Sequence, residues 1–134
     1  MGVVLDTSVF IHAERAGESV EFSRLAKYGD VYISAVTVTE LLVGMHRAKD
    51  TRRRAHRLAY VEAILAQVPV LAFGMEAARV HAEIFAGLLD RGKPIGAHDL
   101  IIAATAMAHG CAVATQNVGD FERVPGLDVV PIRG

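Results

Sequence analysis

The sequence predicts an α/β fold built on a parallel sheet, and three observations carry that expectation. Short apolar runs such as Val3-Val4-Leu5 and Ala112-Val113-Ala114-Thr115 recur along the chain. Longer stretches with apolar residues at helical spacing separate them. Glycine, proline and aspartate mark the joints. Buried parallel strands read as continuous apolar runs, and strands that alternate with helices imply crossovers leaving every strand pointing one way. The strands' carboxyl ends then share one edge, which is where such folds bind ligands.

Residues 3–5 form the first strand. Asp6-Thr7-Ser8 follows, and Asp6 reads either as a helix cap before Val9-Phe10-Ile11 or as a carboxylate held at a strand end. Gly17 punctuates, and residues 18–27 read as a short amphipathic helix with Val20, Phe22 and Leu25 inward. After the turn at Tyr28-Gly29-Asp30, residues 31–33 form a second strand, and Ser34 caps a helix over about residues 35–48. Glu40 lies inside that helix with Val36, Thr37, Val43 and Gly44 as its helical neighbours. Such a carboxylate either sits at a stripe boundary reaching water or has a cation to face.

Residues 47–57 are the basic segment: Arg47, Lys49, Arg52, Arg53, Arg54 and Arg57 stand against Asp50 alone. It reads as a solvated helix junction, a partner contact or a phosphate contact, the last centred on Arg52, Arg53 and Arg54. No aromatic residue interleaves, so base stacking is not suggested. A helix continues over residues 58–67. Residues 69–73 form a third strand whose leading Pro69 suits an edge or a first position. A helix over residues 75–89 places Ala77, His81, Ile84, Phe85 and Leu88 on its inner stripe. His81 there reads as a core or interface histidine, with no metal-spaced partner histidine.

Gly96-Ala97-His98-Asp99 opens a helix over residues 100–109 that is apolar nearly all round, so it should be buried on most sides. Asp99 falls in its first turn, where the helix dipole favours an acid. Gly110 stops it, residues 112–115 form a fourth strand, and Asp120 follows in a polar loop. There too the bland reading is a cap, ahead of a turn at Phe121-Glu122. Residues 128–132 form a last strand.

The length of 134 residues fits one domain spanning 1–134, with no repeat or linker. Hydrophobic residues at 52% and charged residues at 22% exclude a disordered chain. A net charge of -1 supplies no global attraction to nucleic acid, so any such binding needs a local patch. The single cysteine, Cys111, excludes an internal disulfide and reads as a buried small hydrophobe. No apolar run is long enough to span a membrane and no leader is evident, so a cytoplasmic, reducing location is expected.

Each acid has a bland explanation alone. Together, Asp6 and Asp120 both follow apolar strands, Asp99 opens the most buried helix, and Glu40 interrupts an apolar one. Carboxylates brought together repel unless a proton or cation lies between them. All-oxygen ligation with no Cys/His cluster selects Mg²⁺ or Mn²⁺ over zinc. The chemistry that fits is metal-assisted phosphodiester hydrolysis.

Four spaced segments carry a family resemblance. Residues 5–11 (LDTSVFI), residues 39–41 (TEL), residues 96–106 (GAHDLIIAATA) and residues 115–121 (TQNVGDF) resemble the PIN-domain ribonucleases, and more narrowly the VapC-type toxins of bacterial toxin–antitoxin pairs. Residues 123–129 continue the likeness, which covers essentially the whole chain.

The resemblance implies a three-layer α/β/α fold with a four- or five-stranded parallel sheet flanked by helices. It implies Mg²⁺ carboxylates at Asp6 and Asp99, with Glu40 and Asp120 completing the quartet and Asp120 counted among the metal ligands. It implies a supporting polar residue at Thr115. Asn117 stands where related chains can carry an acid, and as an amide it lowers the negative charge. Ser8 stands where many relatives have Asn. The implied partners are a VapB-type antitoxin that blocks the acidic pocket, an RNA such as tRNA, and a second copy in a homodimer. Two other readings stand beside the ribonuclease. One is a catalytically silent PIN-fold module that holds RNA. The other is a receiver-like phosphotransfer domain, disfavoured because no lysine follows Lys93.

Overall fold

The computed structural model describes residues 2–132. Five parallel strands form one sheet in the order β3-β2-β1-β4-β5. They are β1 (Gly2–Leu5), β2 (Asp30–Ser34), β3 (Val70–Leu71), β4 (Ala112–Thr115) and β5 (Val129–Pro131). The helices are α1 (Thr7–Arg15), α2 (Ala35–His46), α3 (Thr51–Leu65), α4 (Met75–Asp90), α5 (Ala97–Ala108) and the short α6 (Val118–Glu122). The chain steps from β1 outward through β2 to β3, then returns to the other side of β1 with β4 and β5. The order reverses between β1 and β4, and in open α/β sheets that crevice is where ligands bind.

Alternation along the central strands builds a core on each face, as a fully covered parallel sheet requires. Val3 and Leu5 of β1, with Ala112 and Ala114 of β4, face Phe10, Leu25 and Ile64. Val4 and Val113 face Ile84, Leu88, Ile102 and Phe121. The sheet starts tightly: a β-carbon on Gly2 would lie 2.7 Å from the carbonyl oxygen of Asp30 on β2, so only glycine fits there.

Helix α5 is the buried helix of the fold, with Ala103, Ala104 and Ala106 fully enclosed. It packs on α4, and its small residues allow that close approach. Gly110 ends it at a φ of 65°, a left-handed conformation at little cost to glycine.

Two local expectations, for residues 18–21 and for Phe85, differ from the structure. Residues 18–21 are not helical, and a 3₁₀ helix occupies Phe22–Tyr28. Phe22 then lies 6.3 Å from the Phe10 ring and Leu25 enters the core, so tertiary packing overrides the helical pattern. Phe85 is 41% exposed and flanks the α4 stripe instead of belonging to it. His81 is half-buried and meets Phe73 and Phe85 edge-on. No described helix is long and apolar enough to cross a membrane.

Candidate active site

The site begins where β1 ends. The Asp6 N–H donates to the Ala114 carbonyl at 2.8 Å, extending the β1–β4 ladder one residue past Leu5. Asp6 stands at the N-cap position of α1, yet its side chain caps no backbone group. Its Oδ2 instead accepts from Ser8 Oγ at 2.7 Å and from Thr115 Oγ1 at 2.8 Å. Each hydroxyl has one proton and gives it to Asp6, so their mutual approach of 3.3 Å carries none. The same hydroxyls accept in turn: Ser8 Oγ from the Gln116 N–H at 3.2 Å, Thr115 Oγ1 from the Asn117 N–H at 2.8 Å. This lattice spans the β1–β4 crevice and holds a 3% exposed carboxylate in place with neutral donors. No described residue donates to Oδ1. No buried side-chain polar atom among the described residues lacks a partner, so Oδ1 opens to solvent.

Asp99 and Asp120 meet at Gly96. The Gly96 N–H donates to Asp120 Oδ2 at 3.2 Å. A β-carbon on Gly96 would stand 3.6 Å from Oδ2 of Asp120 and 3.6 Å from Oδ2 of Asp99. Both carboxyl groups stand against Gly96, and the approach of Asp120 helps to raise the Asp99 pKa, so a proton or a cation between them relieves their repulsion. Burial, the approach of Asp120 and the charges of Asp6, Asp120 and Glu40 lift the Asp99 carboxyl from 3.8 to about 7. Arg123 is shared: Nη1 donates to the Pro94 carbonyl at 3.1 Å and pairs loosely with Asp120 Oδ1 at 3.9 Å.

Glu40 completes the group from α2. Its Oε1 accepts from Thr7 Oγ1 at 2.7 Å, and Oε2 lies 3.4 Å from His98 Nδ1. Thr7 Oγ1 is also 3.0 Å from Thr37 Oγ1. Glu40 is half-buried and looks into this polar pocket, while its apolar neighbour Val43 is 48% exposed.

Four carboxylates from four separate segments therefore bear on one edge of the sheet. The donor set is all oxygen and suits a hard divalent cation, with Oδ1 of Asp6 open and Asp99 short of a counter-charge. The spacing is looser than a closed cage: among the described residues no group of three or more His, Cys, Asp or Glu side chains is drawn close enough to hold a metal.

The remaining sequence candidates separate. Thr115 is fully buried and reaches Asp6 directly, whereas Asn117 is exposed and contributes its backbone N–H to Thr115. Arg52, Arg53 and Arg54 are all exposed on α3, and Arg52 and Arg53 line a common groove with Arg57. Only Arg53 lines a cleft shared with Glu40, while an Arg54 nitrogen turns back to 3.4 Å from the Ala48 carbonyl. Sequence reasoning undervalued Ser8, Thr7, Thr37 and His98, which position Asp6 and Glu40. The signal available was the hydroxyl pair immediately after Asp6 and a histidine beside Asp99.

With this geometry in view, the comparisons with known proteins are specific. The PIN domain pattern matches residues 3–127. Ribonuclease VapC1 of Rickettsia felis is 39% identical over 132 residues, covering 98% of this chain and 97% of that protein. The chain belongs to the PIN-domain family, among the VapC ribonucleases. The tRNA(fMet)-specific endonuclease VapC of Shigella flexneri is 33% identical over 125 residues, covering 92% of each chain. The VapBC structure from Salmonella typhimurium, solved bound to DNA, superposes with a TM-score of 0.87 at 29% identity and covers 98% of both chains.

Proposed function

We propose that this chain is a Mg²⁺-dependent endoribonuclease, with Mn²⁺ as a possible substitute, acting as the toxin of a type II toxin–antitoxin pair. The observation that carries the reading is the gathering of Asp6, Glu40, Asp99 and Asp120 at the β1–β4 crevice with the Asp99 carboxyl lifted to about 7. In this reading Asp6, Asp99 and Asp120 hold the cation, and Glu40, Thr115 and Asn117 support the site. When bound, the ion supplies a Lewis acid and an acidified water for phosphodiester hydrolysis.

The chain's own groups do the rest. Ser8 and Thr115 fix the rotamer of Asp6 and leave Oδ1 free to ligate. Asp99 holds a proton against Asp120 near neutrality and must release it before it can ligate, so ligation at this edge strengthens as pH rises through about 7. Glu40, oriented by Thr7, holds its second oxygen beside His98 and is placed to steer a water or the His98 ring.

The relatives' names support an RNA substrate and an antitoxin partner. An RNA substrate such as tRNA, a VapB-type antitoxin that covers the acids, and a homodimeric state in the cytoplasm belong to the same proposal. So does a single PIN-like domain over 1–134 that halts growth or translation when free. The test is cleavage of end-labelled tRNA by purified, antitoxin-free protein. Cutting with Mg²⁺, loss of cutting in EDTA, and a loss of about a hundredfold or more in Asp6→Asn are expected, since a metal centre contributes several kcal/mol. RNA retained uncut by the wild type with Mg²⁺ present would overturn the enzyme and leave the silent binding module.

A further inference from the structure

A cleft of about 430 Å³ lies between α2 and the start of α3, and Glu40 of the acidic group is among the residues that line it. Arg47, Lys49, Arg53 and Arg57 line it together with Gly44. The cations come from two places. Arg53 and Arg57 are four residues apart and share a face of α3. Arg47 and Lys49 belong to the connection that follows α2. The cleft is held in shape: Asp50 Oδ1 accepts the Arg53 N–H at 2.8 Å and caps α3, and Arg57 Nη1 donates to the Gly44 carbonyl at 3.1 Å, tying α3 to α2. The one ion pair of Arg53, to Asp50 Oδ2 at 3.6 Å, is exposed at both ends and yields at little cost.

We propose that this cleft is the backbone track for the RNA, taking phosphates next to the bond presented to the carboxylates. The inference rests on the ribonuclease reading and names the residues that seat its substrate. Four cations line it with one acid, Glu40, which is shared with the site, and Asp50 pairs with Arg53 beside it. The repeat of positive charge along a concave path suits a polyanion, whose phosphates are read by charge. An acidic protein fits less well. Protein interfaces centre on aromatic and large apolar residues with charge depleted at the core, and this cleft offers only Val43, Gly44 and Ala48. Arg52 and Arg54 lie outside the track despite their place in the densest basic run.

The experiment measures anisotropy of a fluorescent 12-nucleotide single-stranded RNA with the full chain in EDTA, so that nothing is cut, across a salt series. The R47Q/K49Q/R53Q variant spares Arg57 and its bond to Gly44. It should bind more weakly and lower the slope of log K against log salt by about 2, since each phosphate contact on a single strand contributes about 0.7. R47K/R53K should retain the wild-type slope, because a point charge suffices. R24Q/R79Q/R91Q removes the same net charge away from the cleft and should leave the slope nearly unchanged. Circular dichroism confirms that each variant is folded.

An unchanged slope in R47Q/K49Q/R53Q overturns the track, as does an equal fall in R24Q/R79Q/R91Q. So does loss of poly-L-glutamate binding with RNA binding intact, which would assign the cleft to an acidic polypeptide. Cleavage of tRNA by the wild type is scored separately. Cutting with no local slope effect removes the track alone, whereas a local slope effect without cutting removes the enzyme alone.

Discussion

Replacing Asp99 with Asn in metal-free buffer separates a ligand held ready from a helix cap, because the two roles predict opposite signs. In the ligand reading the carboxylate is strained against its surroundings. Its pKa is lifted from 3.8 to about 7 by burial, by the approach of Asp120 and by the charges of Asp6, Asp120 and Glu40. The native state therefore binds more protons than the unfolded state between about 4 and 7, and stability falls as pH rises through that window. The full displacement corresponds to a ceiling of about 4 kcal/mol above pH 7. Asp99 is half-exposed, so solvent screening reduces this to about 1–2 kcal/mol. Against it stands the helix dipole, which favours an acid in the first turn of α5 by about 0.3–1 kcal/mol and is lost in the amide.

Repulsion matches or exceeds the dipole over those ranges, and Asp99→Asn gains a net ~0–1.7 kcal/mol at pH 8 in EDTA. Below about pH 4 the carboxyl is protonated in both states and the gain vanishes. Urea unfolding followed by circular dichroism at several pH values, with the slope m held common, measures the difference. Adding Mg²⁺ at pH 8 should stabilise the wild type more than the variant, which binding to the native state alone requires. A variant less stable than the wild type at pH 8 in EDTA would refute the reasoning and return Asp99 to a structural role.

Two further changes test the frame around the acids. Thr115→Val removes the donor to Asp6 Oδ2 and the acceptor of the Asn117 N–H, so it should cost about 1–3 kcal/mol in urea unfolding at pH 7; its RNA cleavage should also fall, because Asp6 loses its fixed rotamer, and equal activity would show that Ser8 alone positions the carboxylate. Ala104→Leu adds three carbons to a fully enclosed position on α5 and should cost about 1–3 kcal/mol, read as a lowered thermal midpoint, and a neutral result would mean that α5 and its surroundings are looser than their burial implies.

The sheet and its helices were legible because their signals are local. Val3-Val4-Leu5 and Ala112-Val113-Ala114 are apolar on both faces, and α5 is apolar nearly all round, so each declares its burial without reference to a neighbour. The strand order is not local. Several orders satisfy the same alternation, and only β1 beside β4 brings Ser8 within 3.3 Å of Thr115, 107 residues away. The acids could therefore be nominated one by one as misfits in their surroundings, while the hydroxyls that hold them could not be paired with them. Residues 18–27 failed for a related reason. Val20, Phe22 and Leu25 satisfy a tight 3₁₀ turn as readily as an α-helix, and the choice falls to the contact between Phe22 and Phe10 across the chain.

In the basic segment, helical periodicity separates residues that density groups together. Arg52, Arg53 and Arg54 are the most concentrated positive charge in the chain, yet successive helical residues point about 100° apart, and of the three only Arg53 lines the cleft beside Glu40, while Arg52 and Arg53 share a neighbouring groove. Residues that share a face stand four apart, as Arg53 and Arg57 do. That pairing depends on where α3 starts, and the start is written in Asp50: its side chain accepts the Arg53 N–H, three residues on, as an N-cap does. With α3 phased from that cap, Arg53 and Arg57 turn toward α2 and Glu40, and Arg47 and Lys49 close the same cleft from the connection. The cap thus holds the first turn of α3, which carries Arg53. Its loss in Asp50→Ala should loosen the start of α3 and weaken RNA binding with all four cations still present, whereas unchanged binding would show that the cleft needs charge and not phasing.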